Sequence, residues 1–179
     1  MSYFSELEFA MKWLNEKEDT IFIGQAVSCP GTGMYNTLKN VVKSSKLQEI
    51  PVAEDMQMGM TLGIAMAGSV PISIFPRLNF LMCAINQLVN HIDKFKYMAP
   101  TWQKKNIIIR SSIGSERPLF PQHQHIGDLC EGIKLLAPNI KIVKLIEANQ
   151  ILKEYKKAYL APKGEVTLLV EYGDFYNEK

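Results

Sequence analysis

The sequence predicts an α/β fold of three layers, with a mostly parallel central sheet and helices on both faces. Two observations carry that prediction. Short continuous apolar runs, such as Thr20-Ile21-Phe22-Ile23-Gly24 and Ile107-Ile108-Ile109, lack in–out alternation, as expected of strands buried on both faces in a parallel sheet. Stretches of helical period separate these runs, and strands alternating with helices build βαβ units. At 179 residues the chain reads as one domain, 1–179, able to bury most of its apolar surface. No internal repeat, low-complexity stretch or linker divides it.

Ser5 is the expected N-cap of a first helix, with Glu8 three residues on completing a capping box. Leu7, Phe9, Met11, Trp13 and Leu14 mark its apolar side, and the charged run from Asn15 to Asp19 ends it. Thr20–Gly24 is the first strand. The loop Cys29-Pro30-Gly31-Thr32-Gly33 leads to a helix expected over Met34–Val42. Its two glycines suit a backbone that approaches a ligand, or an ordinary tight turn.

Pro51 disfavours helix at Ile50, which is therefore extended. Glu54 and Asp55 follow, two acids suited to the positive end of a helix dipole. The helix they open runs to Gly68 and, beyond Gln57, has almost no polar face, so burial all round is expected. Gly59, Gly63 and Ala67 recur every fourth residue as a smooth ridge. Each Gly costs about 1 kcal/mol against Ala in a helix interior, so close packing of another backbone is the expected compensation.

Val70–Phe75 is the next strand. The loop Pro76-Arg77-Leu78 leads to Asn79 as N-cap of a helix over Phe80–Phe95. Strand Ile107–Arg110 is followed by an irregular segment, Ser111 to Gln124, containing Gly114, Pro118 and Pro121. Connections of that length in a compact domain are usually functional or disordered. A helix over Ile126–Leu136, a strand over Lys141–Leu145, a helix over Glu147–Leu160 and a strand over Val166–Val170 complete the chain.

Composition narrows the function. A formal charge of +2, with lysines spread along the chain and no aromatic–basic stripe, argues against a nucleic-acid surface. Cys29, Cys83 and Cys130 are odd in number, widely spaced and without a CxxC pair. They read as free thiols in a reducing cytoplasm. The N-terminus has no signal-peptide pattern, and no apolar run reaches the roughly 18 residues of a membrane span. A cytoplasmic protein with no membrane partner is the expectation.

His123 and His125 lie beyond a strand end, where ligands collect in open α/β sheets; two surface histidines are the plain alternative. His91, inside a helix, reads as structural. Asp128 and Cys130 would make only a poor zinc set with the loop histidines, and no metal site is expected in this chain. The GxSxG elbow, the GxGxxG fingerprint with its downstream acid and the Walker A loop are all missing. Glu54, at the mouth of an apolar helix, is either a cap or a carboxyl held in a dry site for chemistry.

The order of these pieces resembles the pyrimidine-binding domain of thiamine diphosphate enzymes of the transketolase group. That group includes transketolase, deoxyxylulose phosphate synthase and the beta subunits of 2-oxoacid dehydrogenases. The resemblance rests on Pro51-Val52-Ala53-Glu54 with its Gly-spaced helix, on Pro71-Ile72-Ser73-Ile74-Phe75, and on the block from Phe80 to Leu88. The loop with His123 and His125, then Ala137-Pro138-Asn139-Ile140-Lys141-Ile142-Val143, extend it over about Ile21 to Val170.

The resemblance implies thiamine diphosphate as cofactor and Glu54 as its activator. The family's glutamate hydrogen-bonds the pyrimidine nitrogen across from the amino group, favouring the imino tautomer that takes the thiazolium proton. Phe80 matches the ring that stacks on the pyrimidine, and His125 or His123 the histidine facing the substrate. Phe75 and Arg77 complete the implied cofactor contacts. The family's diphosphate and magnesium signature, a GDG with a downstream Asn pair, has no counterpart, since Gly127-Asp128 and Gly173-Asp174 lack that context.

One subunit of a split enzyme is therefore implied, of transketolase, lyase or 2-oxoacid dehydrogenase type. A separate diphosphate-binding subunit would hold Mg2+, in a homodimer or heterotetramer acting on a small-molecule carbonyl substrate. The competing readings are a non-catalytic regulatory or scaffolding domain that kept the fold, and a flavodoxin-like binding domain.

Overall fold

The computed structural model describes residues 1–101, 104–114, 116 and 120–177. Its strands are β1 (Thr20–Gly24), β2 (Leu47–Glu49), β3 (Val70–Phe75), β4 (Ile107–Ile113), β5 (Lys141–Lys144) and β6 (Val166–Tyr172). They form one sheet in the order β2-β1-β3-β4-β6-β5, with every adjacent pair parallel. The helices are α1 (Tyr3–Asn15), α2 (Gly33–Asn36), α3 (Glu54–Met66), α4 (Leu78–Leu81), α5 (Phe95–Met98), α6 (Cys130–Leu136) and α7 (Ile151–Leu160).

Successive strand residues point to opposite faces of a sheet, and here both faces are covered. Ile108 and Leu169 join Leu7 and Leu14 of α1 and Ile151 and Tyr155 of α7 in one apolar cluster. Their neighbours Ile107, Ile109, Leu168 and Val170 join Met58 and Ala65 of α3 and Ile133 of α6 in the other. Two-sided burial is why the strands read as unbroken apolar runs. The expected three layers are present, and the sheet is wholly parallel among the described strands.

The helix ends show where local pattern misleads. Ser2, not Ser5, caps α1: its hydroxyl accepts from the Ser5 N–H at 3.3 Å, and the Ser5 hydroxyl donates back to the Ser2 carbonyl at 2.9 Å. Tyr3 is thereby drawn into the core while Phe9 is left 47% exposed. The helix expected over Met34–Val42 is the short α2, capped by Thr32, followed by turns. Ile50 directly follows an edge strand, β2 (Leu47–Glu49), which the sequence pattern did not reveal.

The helix expected over Phe80–Phe95 begins at Leu78, with Arg77 rather than Asn79 as cap residue. It changes pitch twice, into 3-10 turns over Met82–Ala84 and a π-helix over Gln87–Ile92, before α5. Leu81, Ala84, Leu88 and Ile92 stay buried throughout, so the apolar stripe survives the changes of pitch. In the segment expected to be irregular, β4 runs on to Ile113 and a 3-10 turn forms over His123–His125; Pro118 lies outside the described residues. The helix expected from Ile126 starts only at Cys130, where the Asp128 carboxylate accepts from the Cys130 N–H at 3.0 Å. No helix among the described residues is long and apolar enough to cross a membrane.

Candidate functional site

The helix α3 departs from the carboxyl end of β2, and its first residue is Glu54. Only one face of α3 is buried: Glu54, Gln57, Met58, Thr61 and Ala65. Those positions recur at helical spacing and lie against β3. The opposite face is not covered by the described residues. Met56 and Met60 are 44% and 42% exposed, and a Cβ added at Gly63 would meet nothing within 4 Å. Burial all round, expected from the apolar composition, is thus half realised among the described residues; Gly63 and Ala67 of the ridge face outward, while Gly59 lies against the Gln87 side chain.

Glu54 is 9% exposed, and no hydrogen bond or ion pair reaches its carboxylate from the described residues. One turn on, the Gln57 amide donates to the Ile74 carbonyl at 2.9 Å and the Ser73 hydroxyl at 3.1 Å. Its own oxygen, buried, has no partner. Buried polar groups are ordinarily satisfied. The orphaned Gln57 oxygen is therefore unusual, whereas the Glu54 oxygens on the same helix face still reach solvent.

The aromatic part of the site forms between α4 and the 3-10 turn His123–His125. The rings of Phe80 and His125 meet edge to face, 5.5 Å apart, and His125 Nδ1 lies 3.2 Å from Asn79 Oδ1. His123 is exposed and packs instead on Phe120, at 5.6 Å. Phe75, expected beside a ligand, is 1% exposed in the cluster under α3 and offers a ligand no face in this chain. Arg77 does not contact Glu54; its Nη1 donates to the Gly114 carbonyl at 2.6 Å.

Arg77 and Phe80 both line a cleft of about 510 Å³ at the carboxyl ends of β1, β3, β4 and β6. Ligands in open α/β sheets bind at that edge. Two hydrogen bonds tie β3 to β4 beneath it: Arg77 to Gly114, and the Ser112 hydroxyl to the Pro76 carbonyl at 2.7 Å. Gly33, on the facing wall, has its reason in the fold, since a Cβ there would meet the Tyr176 ring at 2.5 Å. Glu54 and His125 do not line the cleft, so the expected residues divide between it and the neighbouring Glu54 helix.

Two further carboxylates went unnoticed in the sequence. Glu49, ending β2, accepts the N–H groups of Ala26, Val27 and Ser28 at 2.6, 2.8 and 2.7 Å, with Ala26 at a φ of 51°. Burial alone would raise its pKa, but these three bonds hold it below the usual carboxylate value. Glu171, 0% exposed, receives Arg110 Nε at 2.6 Å and Nη2 at 2.9 Å, the Tyr155 hydroxyl at 2.6 Å, and the Tyr176 hydroxyl. Burial and then the Glu171 charge push both tyrosines well above their usual values. The available signal was an arginine and a glutamate closing apolar strand runs that prove adjacent.

No group of three or more metal-ligating side chains gathers among the described residues. Asp128 is engaged by Lys144 at 2.5 Å, and Cys130 is buried.

No family model matches the chain. Curated relatives do. The 2-oxoisovalerate dehydrogenase subunit beta of Bacillus subtilis is 25% identical over 182 residues, covering 93% of this chain and 55% of that protein. The mitochondrial pyruvate dehydrogenase E1 component subunit beta of Homo sapiens is 28% identical over 130 residues, 69% of this chain and 36% of that one. Its Saccharomyces cerevisiae counterpart is 29% identical over 133 residues, covering 70% and 36%. A solved split gene transketolase, an inactive beta4 tetramer, shares the fold with a TM-score of 0.72 over 97% of this chain and 52% of its own, at 15% identity.

By sequence the chain is thus similar to beta subunits of 2-oxoacid dehydrogenases, and it shares its fold with a split gene transketolase. It spans about half the length, or less, of the curated relatives it matches.

Proposed function

We propose that this chain is the pyrimidine-binding subunit of a split thiamine diphosphate enzyme, acting on a small carbonyl compound with a separate diphosphate-binding subunit. The observation that carries the reading is Glu54: a residue 9% exposed at a helix start, whose carboxylate reaches solvent and has no partner among the described residues. A structural cap would bond nearby backbone N–H groups, and no such bond is formed. The relatives add weight, being beta subunits of 2-oxoacid dehydrogenases.

Thiamine diphosphate, when bound, supplies a carbon acid that adds to carbonyl groups. Glu54 would accept or share a proton at the ring nitrogen that faces it. Phe80 would lie against the ring, and its edge contact with His125 would set the histidine beside the reacting face. His125 is preferred over His123 because Asn79 and Phe80 hold it, whereas His123 turns outward. The partner would bring the ligands for diphosphate and Mg2+. The exposed face of α3, with Met56, Met60 and the Gly63 gap, is the surface on which another subunit would lie.

The test is calorimetry with thiamine diphosphate and magnesium, alongside sedimentation. The chain alone should bind the cofactor weakly and should not remain monomeric at high concentration. Addition of the partner should confer tight binding and turnover. Tight binding by this chain with no partner, or a clean monomer with no partner found, would overturn the split-enzyme reading.

A further inference from the structure

We propose that the cleft at the carboxyl ends of β1, β3, β4 and β6 is an anion subsite for the substrate, with the Arg77 guanidinium as the group that grips it. The assignment to a substrate rests on the catalytic reading above, whereas the anion site itself stands on the cleft. Arg77 is half-buried, and its only hydrogen bond among the described residues goes to a backbone carbonyl, that of Gly114, through one nitrogen. A guanidinium has five N–H donors in a planar fork. One is engaged here, which leaves the remainder for a ligand.

The acids around the cleft do not serve Arg77. Glu49 is held by three backbone N–H groups of the loop after β1. Glu171 is held by Arg110, Tyr155 and Tyr176. Asp174 accepts the Glu116 N–H at 2.8 Å. No ion pair joins Arg77 to any described carboxylate, so the cation stands at a concave surface without a salt-bridge partner among the described residues. Burial lowers its pKa from the ordinary arginine value, and a guanidinium stays charged in proteins.

Phe80 joins the cleft to the candidate catalytic residues, since it lines the cleft and touches His125. A substrate with its carbonyl near His125 would extend past Phe80 and set a negative group on Arg77. The chemistry Arg77 recognises is a planar or tetrahedral oxyanion, a carboxylate or a phosphate. A 2-oxoacid brings the first and a phosphorylated sugar the second. Ser112 and Gly114 are pinned beneath the guanidinium and would report on its occupancy.

The experiment uses the full chain alone, labelled with ¹⁵N, and needs neither cofactor nor partner. It is titrated separately with acetate, inorganic phosphate and chloride. The Arg77 side-chain N–H and the Gly114 amide should shift saturably with acetate or phosphate and not with chloride. In Arg77→Gln the Gly114 shift should vanish, and in Arg77→Lys it should weaken while the rest of the spectrum is unchanged. No saturable shift with either oxyanion, or a shift that survives Arg77→Gln, overturns the subsite. Stronger saturation by acetate assigns a carboxylate substrate, and by phosphate a phosphorylated one.

In the reconstituted enzyme, Arg77→Lys should raise KM about 10- to 100-fold, the loss expected of a charged hydrogen bond, with kcat little changed. A fall in kcat at constant KM would overturn the anchoring role. A complex that binds no thiamine diphosphate would defeat the catalytic reading and leave the titration result standing.

Discussion

Two buried glutamates in this molecule are furnished in opposite ways. Glu171, at the end of β6, is wholly enclosed and meets four donors from Arg110, Tyr155 and Tyr176. Glu54, at the start of α3, is almost as enclosed and meets none from the described residues. The first is a structural knot that ties β4, β6, α7 and the C-terminal turn together. The second keeps its oxygens open at the head of a helix. The Glu54 oxygens still reach solvent and no donor among the described residues claims them, which leaves them available to a group supplied from outside. Burial alone does not separate structure from function; the count of donors does.

The largest test of this contrast is Glu54→Gln. If Glu54 shares a proton with a bound heterocycle, the amide should lower turnover of the reconstituted enzyme by about 10²–10⁴, the usual range for a lost acid–base group. Chain stability should move by no more than about 1 kcal/mol. Thiazolium proton exchange in deuterated water, followed by NMR on bound cofactor, reads this step without knowledge of the substrate. Unchanged exchange would make Glu54 a plain helix-start residue.

The same substitution at Glu171 should act on folding. Glu171→Gln leaves the Arg110 charge enclosed and unpaired, and removal of one partner of a buried pair costs about 3–5 kcal/mol. Urea unfolding at neutral pH should register the loss. A stability change at Glu171 as small as that at Glu54 would erase the distinction between the two sites.

Tyr176→Phe takes away a single donor from Glu171 and should cost about 1.5–3 kcal/mol, the usual value for a hydrogen bond to a charged group. The Tyr176 ring also packs on Gly33. Hydrogen exchange of the loop amides should therefore quicken with the loss of the hydroxyl. A variant as stable as the parent would show the knot to be held by Arg110 and Tyr155 without it.

A pH-dependent effect concerns a buried cation, Lys104. Its amine is 4% exposed with the residue as a whole and donates to the Gly164 carbonyl at 2.8 Å, with no carboxylate partner among the described residues. Burial lowers its pKa to about 8. Between about 8 and the ordinary value of 10.5 the unfolded state binds the extra proton, so stability should rise with pH across that window and be flat in this respect below it. Urea midpoints of the parent and Lys104→Met, compared at several pH values, isolate the contribution. A constant difference between them would place the amine in water.

Glu54 and Arg77 also mark the reach of sequence reading. Strand runs such as Thr20–Gly24 and Val70–Phe75 were legible to the residue, because two-sided burial writes one apolar run per strand. The start of α3 was equally legible, since Pro51 and two acids set it locally. The edge strand β2 was not: one side of it has no partner strand, so little apolar signal was required of it.

The sequence by itself determined the layered α/β class, the position of Glu54 at a helix start and the likeness to the transketolase group. These follow from local dihedral preference, burial period and motif order, which neighbouring residues along the chain express. Only the tertiary structure decided that α3 is bare on its outer face, and that Phe80 meets His125 rather than His123. It alone gave Glu49 and Glu171 their donors and left Arg77 facing a cleft. Those outcomes depend on which distant segments share space, and no local pattern records that.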